Sequence, residues 1–368
     1  MGTPLLFVSA GDPSGDNAFS RVFAALKLHT PDLELIGLGG PKLLELDQEQ
    51  FADSSDLAVL GFWEVAKRAS FFRKLLGKCV VEIAERRPSA VVLVDYPGFN
   101  LRLARRIKQL GIPVIYYISP QVWAWGKRRV GLIRECVDRM IVILPFEQAF
   151  FKQHDIACDF VGHYLLEDIP ENFIGSEPPG NKQVALMPGS RRQEVDRMLT
   201  PMLETARLLN QTHGSNAVVA AVKGLCDYEA AVKGYSDYGV KVSYEDSRKT
   251  VCESDLVLTA SGTATLETGI IGRPMVVVYK TGFITYQIAR RLVKLDKIAL
   301  VNLVLGKKVV PELIQEQATA ENMAQAMTRY WTESDYRREV CEWLGEVPKL
   351  LGGVGASKRA AELIGKYL

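Results

Sequence analysis

Short apolar runs rich in Val, Ile and Leu alternate with longer amphipathic stretches along most of this 368-residue chain, and that alternation leaves few architectures open. Strand candidates fall at 4–9, 34–38, 91–95, 113–117 and 139–143, then at 183–187, 217–222, 240–243, 255–259 and 275–279. Helical periodicity fills most of the gaps, at 16–28, 67–86, 100–110, 127–135, 146–153, 192–212, 227–233, 246–253 and 263–271. A run such as Val91-Val-Leu-Val94 has no polar alternation, so it suits a strand buried on both faces. Buried strands separated by helices mean βαβ units and parallel sheets, hence an α/β protein.

One sheet of ten strands would satisfy this pattern, but the stretch Gly162–Lys182 argues for two. It carries three prolines, three glycines and little apolar periodicity, and reads as a linker between two Rossmann-like domains, 1–165 and 166–334. Beyond about 320 the pattern is wholly helical, and the segment 335–368 is expected to cross back to the first domain. The same tail is a candidate for exchange between two copies in a homodimer.

Several function classes drop out on composition. With 45 Lys+Arg against 43 Asp+Glu the net charge is +2, which argues against a nucleic-acid binder. Six scattered cysteines without C-x-x-C spacing signal neither a zinc site nor a disulfide scaffold. The first residues lack a basic n-region, so no secretory signal is expected, and the strongest apolar runs are far shorter than the ~20 residues of a spanning helix. The expected setting is cytoplasmic, with reduced thiols.

In open parallel sheets ligands bind beyond the carboxyl ends of the strands. Three such places stand out. Ser9-Ala-Gly-Asp-Pro-Ser-Gly-Asp16 follows the first strand as a small-residue loop, with Ser14 a candidate substrate-binding residue and Ser14 or Asp16 able to cap the next helix. It is neither G-x-G-x-x-G, nor a P-loop, nor a nucleophile elbow. Asp95, in Val91-Val-Leu-Val-Asp-Tyr-Pro-Gly-Phe-Asn100, sits at the end of an apolar strand, where partial burial raises a carboxylate's pKa toward that of a useful base. Nearby Trp123 and Trp125 precede Lys127, Arg128 and Arg129, a mixture suited to a sugar or anion, or to a domain interface.

The third place has two parts in the second half. Pro188-Gly-Ser-Arg191 and Ser261-Gly-Thr263 each lead from a strand into a helix, whose N-terminus offers N–H groups and partial positive charge to phosphate. Ser190, Arg191, Ser261, Gly262 and Thr263 would hold a diphosphate, and Glu267 could accept from a ribose diol. No Asp-x-Asp pair ends a strand, and no His, Asp or Glu cluster has metal spacing, so neither metal nor other cofactor is expected. Residues 57–76 mix Leu60, Phe62, Trp63, Phe71 and Phe72 with Lys67, Arg68, Arg73 and Lys74; that suits either contact with anionic lipid or a core helix with a basic outer side.

Taken in order, S-A-G-D-P-S-G-D, V-D-Y-P-G-F-N, Y-Y-I-S-P-Q-V-W-A-W, L-P-F-E at 144–147, F-V-G-H at 160–163, L-M-P-G-S-R and A-S-G-T-A-T-L-E resemble the lipid-A-disaccharide synthase family over nearly the whole chain. The resemblance implies a GT-B fold, two Rossmann-like domains with parallel sheets facing across a cleft. It also implies an inverting, metal-independent transferase. That enzyme joins UDP-2,3-diacylglucosamine to 2,3-diacylglucosamine 1-phosphate (lipid X), giving a β-1,6 disaccharide and UDP. It further implies catalytic Asp95, with Asp12 where the family commonly has Glu, and donor-side Asn302, Glu312 and Gln315. Asn302 lies in V-N-L-V-L-G, with Val301 where Pro is usual. Because both substrates carry acyl chains, the resemblance favours residues 57–76 as a membrane face, with the protein peripheral to the cytoplasmic side of the inner membrane. Two other readings compete: another UDP-sugar enzyme on the same scaffold, such as an epimerase, and a two-domain ligand-binding protein without catalysis.

Overall fold

The computed structural model describes residues 3–53, 69–124, 126, 128–282 and 296–368. The chain forms two compact units: residues up to Tyr164 together with Gly352–Leu368, and Leu165–Leu351. The first contains β1 (Leu5–Ala10), α1 (Pro13–His29), β2 (Glu34–Gly39), α2 (Pro41–Leu44), β3 (Glu49–Asp53), α3 (Ala69–Arg86), β4 (Ala90–Val94), α4 (Pro97–Ile107), β5 (Val114–Tyr117), α5 (Arg128–Cys136), β6 (Arg139–Val142), α6 (Pro145–Lys152) and β7 (Cys158–Phe160). All seven strands are parallel, in the order β3-β2-β1-β4-β5-β6-β7. Every residue of β4 is buried, as its unbroken apolar run requires. Phe7, Val91, Leu93 and Tyr116 from the sheet pack with Ile83, Leu103 and Ile133 from the helices.

The second unit runs α7 (Leu165–Asp168), β8 (Gln183–Met187), α8 (Arg192–His213), β9 (Asn216–Ala220), α9 (Tyr228–Val232), β10 (Val240–Ser243), α10 (Ser247–Cys252), β11 (Leu256–Ala260), α11 (Ala264–Ile271), β12 (Met275–Tyr279), α12 (Leu300–Val304), β13 (Glu312–Ile314), α13 (Ala320–Thr332), α14 (Ser334–Gly345) and α15 (Val347–Leu350). Its six strands are also parallel, in the order β10-β9-β8-β11-β12-β13. A last helix, α16 (Ala356–Gly365), packs on α1 of the first unit.

The strand orders fix where a ligand can enter. In the first sheet β1 has β2 on one side and β4 on the other, so the order reverses between β1 and β4, where Ala10 pairs with Val94. In the second sheet it reverses between β8 and β11, where Met187 pairs with Thr259. The loops leaving neighbouring strands diverge to opposite faces at such a point and open a crevice. Both pairs of strand-end loops selected from the sequence sit at these reversals.

The structure departs from expectation in three respects. Strands β3, β7 and β13 lie at sheet edges and were not legible, because a strand with a single neighbour needs no unbroken apolar run. Gly162–Lys182 is no free tether: from Leu165 onward it belongs to the second unit, with the Gly175 N–H donating to Ile270 O at 2.9 Å and Asn181 Nδ2 to Glu253 O at 2.9 Å. The C-terminal return begins at Gly352, not 335, since α14 buries Val340 and Leu344 within the second unit. Arg359 fastens the return by donating from Nε to Val161 O at 2.7 Å.

Candidate active site

At the first reversal, Asp12 rather than Ser14 or Asp16 caps α1, accepting from the Gly15 N–H at 2.8 Å. The Ser14 hydroxyl donates to the other Asp12 oxygen at 3.0 Å. Asp16 is buried and turns away: its carboxylate accepts from the N–H groups of Gly40 (2.7 Å), Lys42 (3.0 Å) and Leu43 (3.2 Å), so it caps α2 instead.

Asp95 follows the last residue of β4 with φ +41°, and Tyr96 follows with φ +46°. Two adjacent non-glycine residues in the left-handed region are costly, and the surroundings hold them there. The Asp95 N–H donates to Tyr117 O at 3.0 Å, while its carbonyl accepts from Asn100 Nδ2 (2.8 Å) and the Tyr116 hydroxyl (2.5 Å). Ile118, at the end of β5, is also left-handed at φ +63°. Burial, then the nearby Asp12 charge, push the Asp95 carboxyl up to about 7, against a smaller opposing pull from the Tyr96 backbone N–H. Such a group is poised to take a proton at neutral pH.

Sequence reasoning missed two buried polar supports, one of this loop and one of the loop after β5. Asn100 is fully buried and donates to the carbonyls of Ser9 (3.2 Å), Val94 (3.1 Å) and Asp95 (2.8 Å), while accepting from the Ser9 hydroxyl. Its signal was spacing: five residues after Asp95, it falls on the first turn of α4. Glu147 is buried and accepts from the Ser119 hydroxyl at 2.5 Å, Trp123 Nε1 at 3.0 Å and the Leu144 N–H at 3.1 Å. Burial outweighs these bonds and pushes its carboxyl up to about 7.

A row of rings leads away from Asp95. Tyr96 lies 6.3 Å from Phe99, Phe99 6.5 Å from Phe72, and Phe72 5.5 Å from Phe71. Phe71 and Phe72 are half-buried against the core, as the core-helix alternative for 57–76 expects of these two rings. Arg73 and Lys74 beside them are exposed. Leu60, Phe62, Trp63, Lys67 and Arg68 lie outside the described residues, as do Trp125 and Lys127. Among the described residues no helix is long and apolar enough to cross a membrane. A cavity of about 440 Å³ lined by Lys27, Glu34, Glu49 and Arg86 lies at the amino ends of β2 and β3, the edge opposite Asp95.

At the second reversal, Ser190 and Arg191 are exposed just before α8. Their N-terminal position is already partly filled: Glu194 accepts from the Ser190 N–H at 3.1 Å and from Arg191 Nη1 at 3.1 Å. Gly189 adopts φ +120°, and a Cβ there would collide with the Glu194 side chain. Gly262 and Thr263 are exposed before α11, with Ser261 half-buried beside them. Glu267, one turn into α11, accepts at Oε1 from Arg248 Nε (3.0 Å) and Nη2 (2.8 Å).

Asn302, Glu312 and Gln315 are turned to the fold. Asn302 is fully buried; its Oδ1 accepts from the N–H groups of Val309 and Val310, and its Nδ2 donates to Val310 O and Glu312 Oε1. Glu312 accepts from the N–H groups of Ile298 (2.9 Å) and Ala299 (3.0 Å) at the start of α12. Gln315 bonds both the N–H and the carbonyl of Thr281. These side chains hold loops together, and their polar atoms are engaged there.

The chain is similar to a well-populated group of enzymes. A sequence model of the family described as lipid-A-disaccharide synthetase matches residues 6–344. The lipid-A-disaccharide synthase of Myxococcus xanthus (strain DK1622) is 38% identical over 370 residues, covering 98% of this chain and 97% of that protein. That of Anaeromyxobacter dehalogenans (strain 2CP-C) is 40% identical over 369 residues, covering 98% and 96%. Among solved structures, the glycosyltransferase of kitacinnamycin aligns with a TM-score of 0.67 at 15% identity, over 100% of each chain. MurG of Acinetobacter baumannii aligns with a TM-score of 0.62 at 16% identity, over 99% of this chain and 100% of that one. These structures share the GT-B fold.

Proposed function

The chain belongs to the lipid-A-disaccharide synthase family of hexosyltransferases, and from that premise we propose a single displacement between two acylated sugars. The donor is UDP-2,3-diacylglucosamine and the acceptor 2,3-diacylglucosamine 1-phosphate. The acceptor's 6-hydroxyl oxygen forms a bond to the donor anomeric carbon as the bond from that carbon to the β-phosphate oxygen breaks. Asp95 takes the hydroxyl proton, UDP leaves, and the configuration at the anomeric carbon inverts to give a β-1,6 linkage.

The observation that carries this reading is Asp95 itself: a carboxyl raised to about 7, on a constrained loop at the strand-order reversal of the first sheet. Asp12 shapes its charge environment. In the second unit, Arg191 and the helix starts at Ser190 and at Ser261–Thr263 receive the diphosphate and stabilise its departure without a divalent ion. Glu267 accepts from the ribose. Asn302, Glu312 and Gln315 act through the loops they hold. The aromatic row Tyr96–Phe99–Phe72–Phe71 offers apolar surface to an acyl-bearing acceptor. Arg73 and Lys74, exposed at its far end, favour a peripheral position on the anionic cytoplasmic leaflet of the inner membrane.

The test is a product assay in EDTA with labelled acyl-UDP-sugar and acyl-sugar phosphate. A disaccharide 1-phosphate and one UDP per linkage are expected, with a β-anomeric coupling by NMR. Release of UDP without disaccharide, or an α-linkage, overturns the proposal. Recovery of an epimerised UDP-sugar instead would point to the other enzyme class on this scaffold.

A further inference from the structure

Among the described residues only one oxygen of Glu267 is occupied. Oε1 accepts both Arg248 Nε (3.0 Å) and Nη2 (2.8 Å), whereas Oε2 accepts no hydrogen bond among the described residues. Arg248 is itself fixed on two further sides. Its backbone N–H donates to the capping Asp246 Oδ1 at 2.9 Å, and its Nη1 donates to Asp168 O at 3.0 Å. Both side chains are largely shielded, with 23% of Arg248 and 16% of Glu267 accessible. A guanidinium tied at Nη1 on a residue anchored at the start of α10 presents a planar fork to the carboxylate.

Resting on the reading of Ser261–Glu267 as a nucleotide site, we infer that Arg248 is a positioning residue for ribose recognition: by taking Oε1 it sets the Glu267 rotamer and leaves Oε2 as the acceptor for a ribose hydroxyl. A glutamate without that partner would sample several rotamers, and ordering it on binding would weaken the ribose contact. The effect belongs to hydroxyl recognition and not to the diphosphate, which is held by other residues.

The experiment is calorimetric titration with UDP and with 2′,3′-dideoxy-UDP of the full chain and its Glu267→Ala, Arg248→Ala and Arg248→Lys variants. The unsubstituted protein should prefer UDP by about tenfold or more, the scale of a hydrogen bond to a charged group. Glu267→Ala should bring the ratio close to one. Arg248→Ala should do nearly the same by weakening UDP and sparing the analogue, and Arg248→Lys, which keeps a donor for Oε1, should restore part of the preference. An Arg248→Ala ratio equal to that of the unsubstituted protein, or equal weakening of both ligands, overturns the inference and leaves the ion pair a tie between α10 and α11. Should Arg248→Ala fail to fold, Arg248→Lys decides alone: a preference unchanged from the unsubstituted protein overturns the inference, and an intermediate one supports it. A different failure marks the underlying reading: if Glu267→Ala keeps the full preference for UDP, Glu267 does not read the ribose at all, and the role of Arg248 falls with it.

Discussion

Asn100 accepts the Ser9 hydroxyl at 2.6 Å, and this buried bond joins the first turn of α4 to the carboxyl-terminal end of β1. The same amide donates to three backbone carbonyls, those of Ser9 in β1, Val94 at the end of β4 and Asp95 just beyond it. Asn100→Ala leaves the Ser9 hydroxyl and those carbonyls short of partners where the surroundings are dry. The expected loss is about 2–4 kcal/mol of stability, read as a lower urea midpoint, together with reduced turnover. Asn100→Asp should be worse than Asn100→Ala, because it sets a charged acceptor against three carbonyls. An aspartate variant with the stability of the unsubstituted protein would show that Asn100 does not carry this junction.

Asp95 ties activity and stability to pH in opposite directions. Its carboxyl is held at about 7 in the folded chain. An unfolded aspartate titrates near 4, so between about pH 4 and 7 the folded state binds more protons and stability falls as pH rises. Asp95→Asn removes that term: the variant should be more stable than the unsubstituted chain at pH 8, with the gain gone by about pH 4. Its turnover should drop roughly 10²–10⁴-fold. The unsubstituted enzyme should gain activity as pH rises through about 7, with Asp12→Asn moving that limb only modestly lower, because burial is the larger cause. A destabilised Asp95→Asn at pH 8 would contradict this account.

The loop before α8 has no room for a side chain at Gly189. Its φ of +120° and the closeness of Glu194 together mean that Gly189→Ala must move the Ser190–Arg191 segment. UDP affinity should fall about tenfold or more while the β8–α8 unit still folds, and Arg191→Ala should give a similar loss. Calorimetry with UDP checks both. Unchanged affinity in the two variants would move the diphosphate site elsewhere.

Residue type and spacing exposed the framework of this protein and the loops at its two strand-order reversals, but not what each side chain bonds to there. Nine of the ten readable strands are central in their parallel sheets and apolar on both faces; β10 is an edge strand that was read as well, whereas β3, β7 and β13, the other edges, lack that signature. Asp95 was legible because a lone acid ending an apolar strand is conspicuous. The bonding partners of Asn302, Glu312 and Asp16 were out of reach for a common reason. Each is a polar residue beside a strand-end loop, and only the fold reveals that its partners are backbone groups of the next loop. Asn100 and Glu147 end two of the quoted motifs but were given no role, because a buried polar side chain carries no periodic mark of its own.

Glu147 offers an optical test of the loop beside Asp95. Its Oε1 accepts the indole N–H of Trp123 at 3.0 Å, and its carboxyl is pushed up to about 7, chiefly by burial. Loss of the proton there places a full charge against the indole, which should shift Trp123 emission. Titration from pH 5.5 to 8.5 should therefore show a fluorescence transition with a midpoint of about 7 that Glu147→Gln abolishes. The stability consequence has the same sign as for Asp95, since the folded value lies above the unfolded one: stability contributed by this group declines between about pH 4.5 and 7. Glu147→Gln removes that decline but turns an amide toward the Leu144 N–H, which then loses its acceptor, so its net gain at pH 8 should be smaller than that of Asp95→Asn. A fluorescence transition that persists unchanged in Glu147→Gln would assign the response to another group and leave the carboxylate ionised throughout.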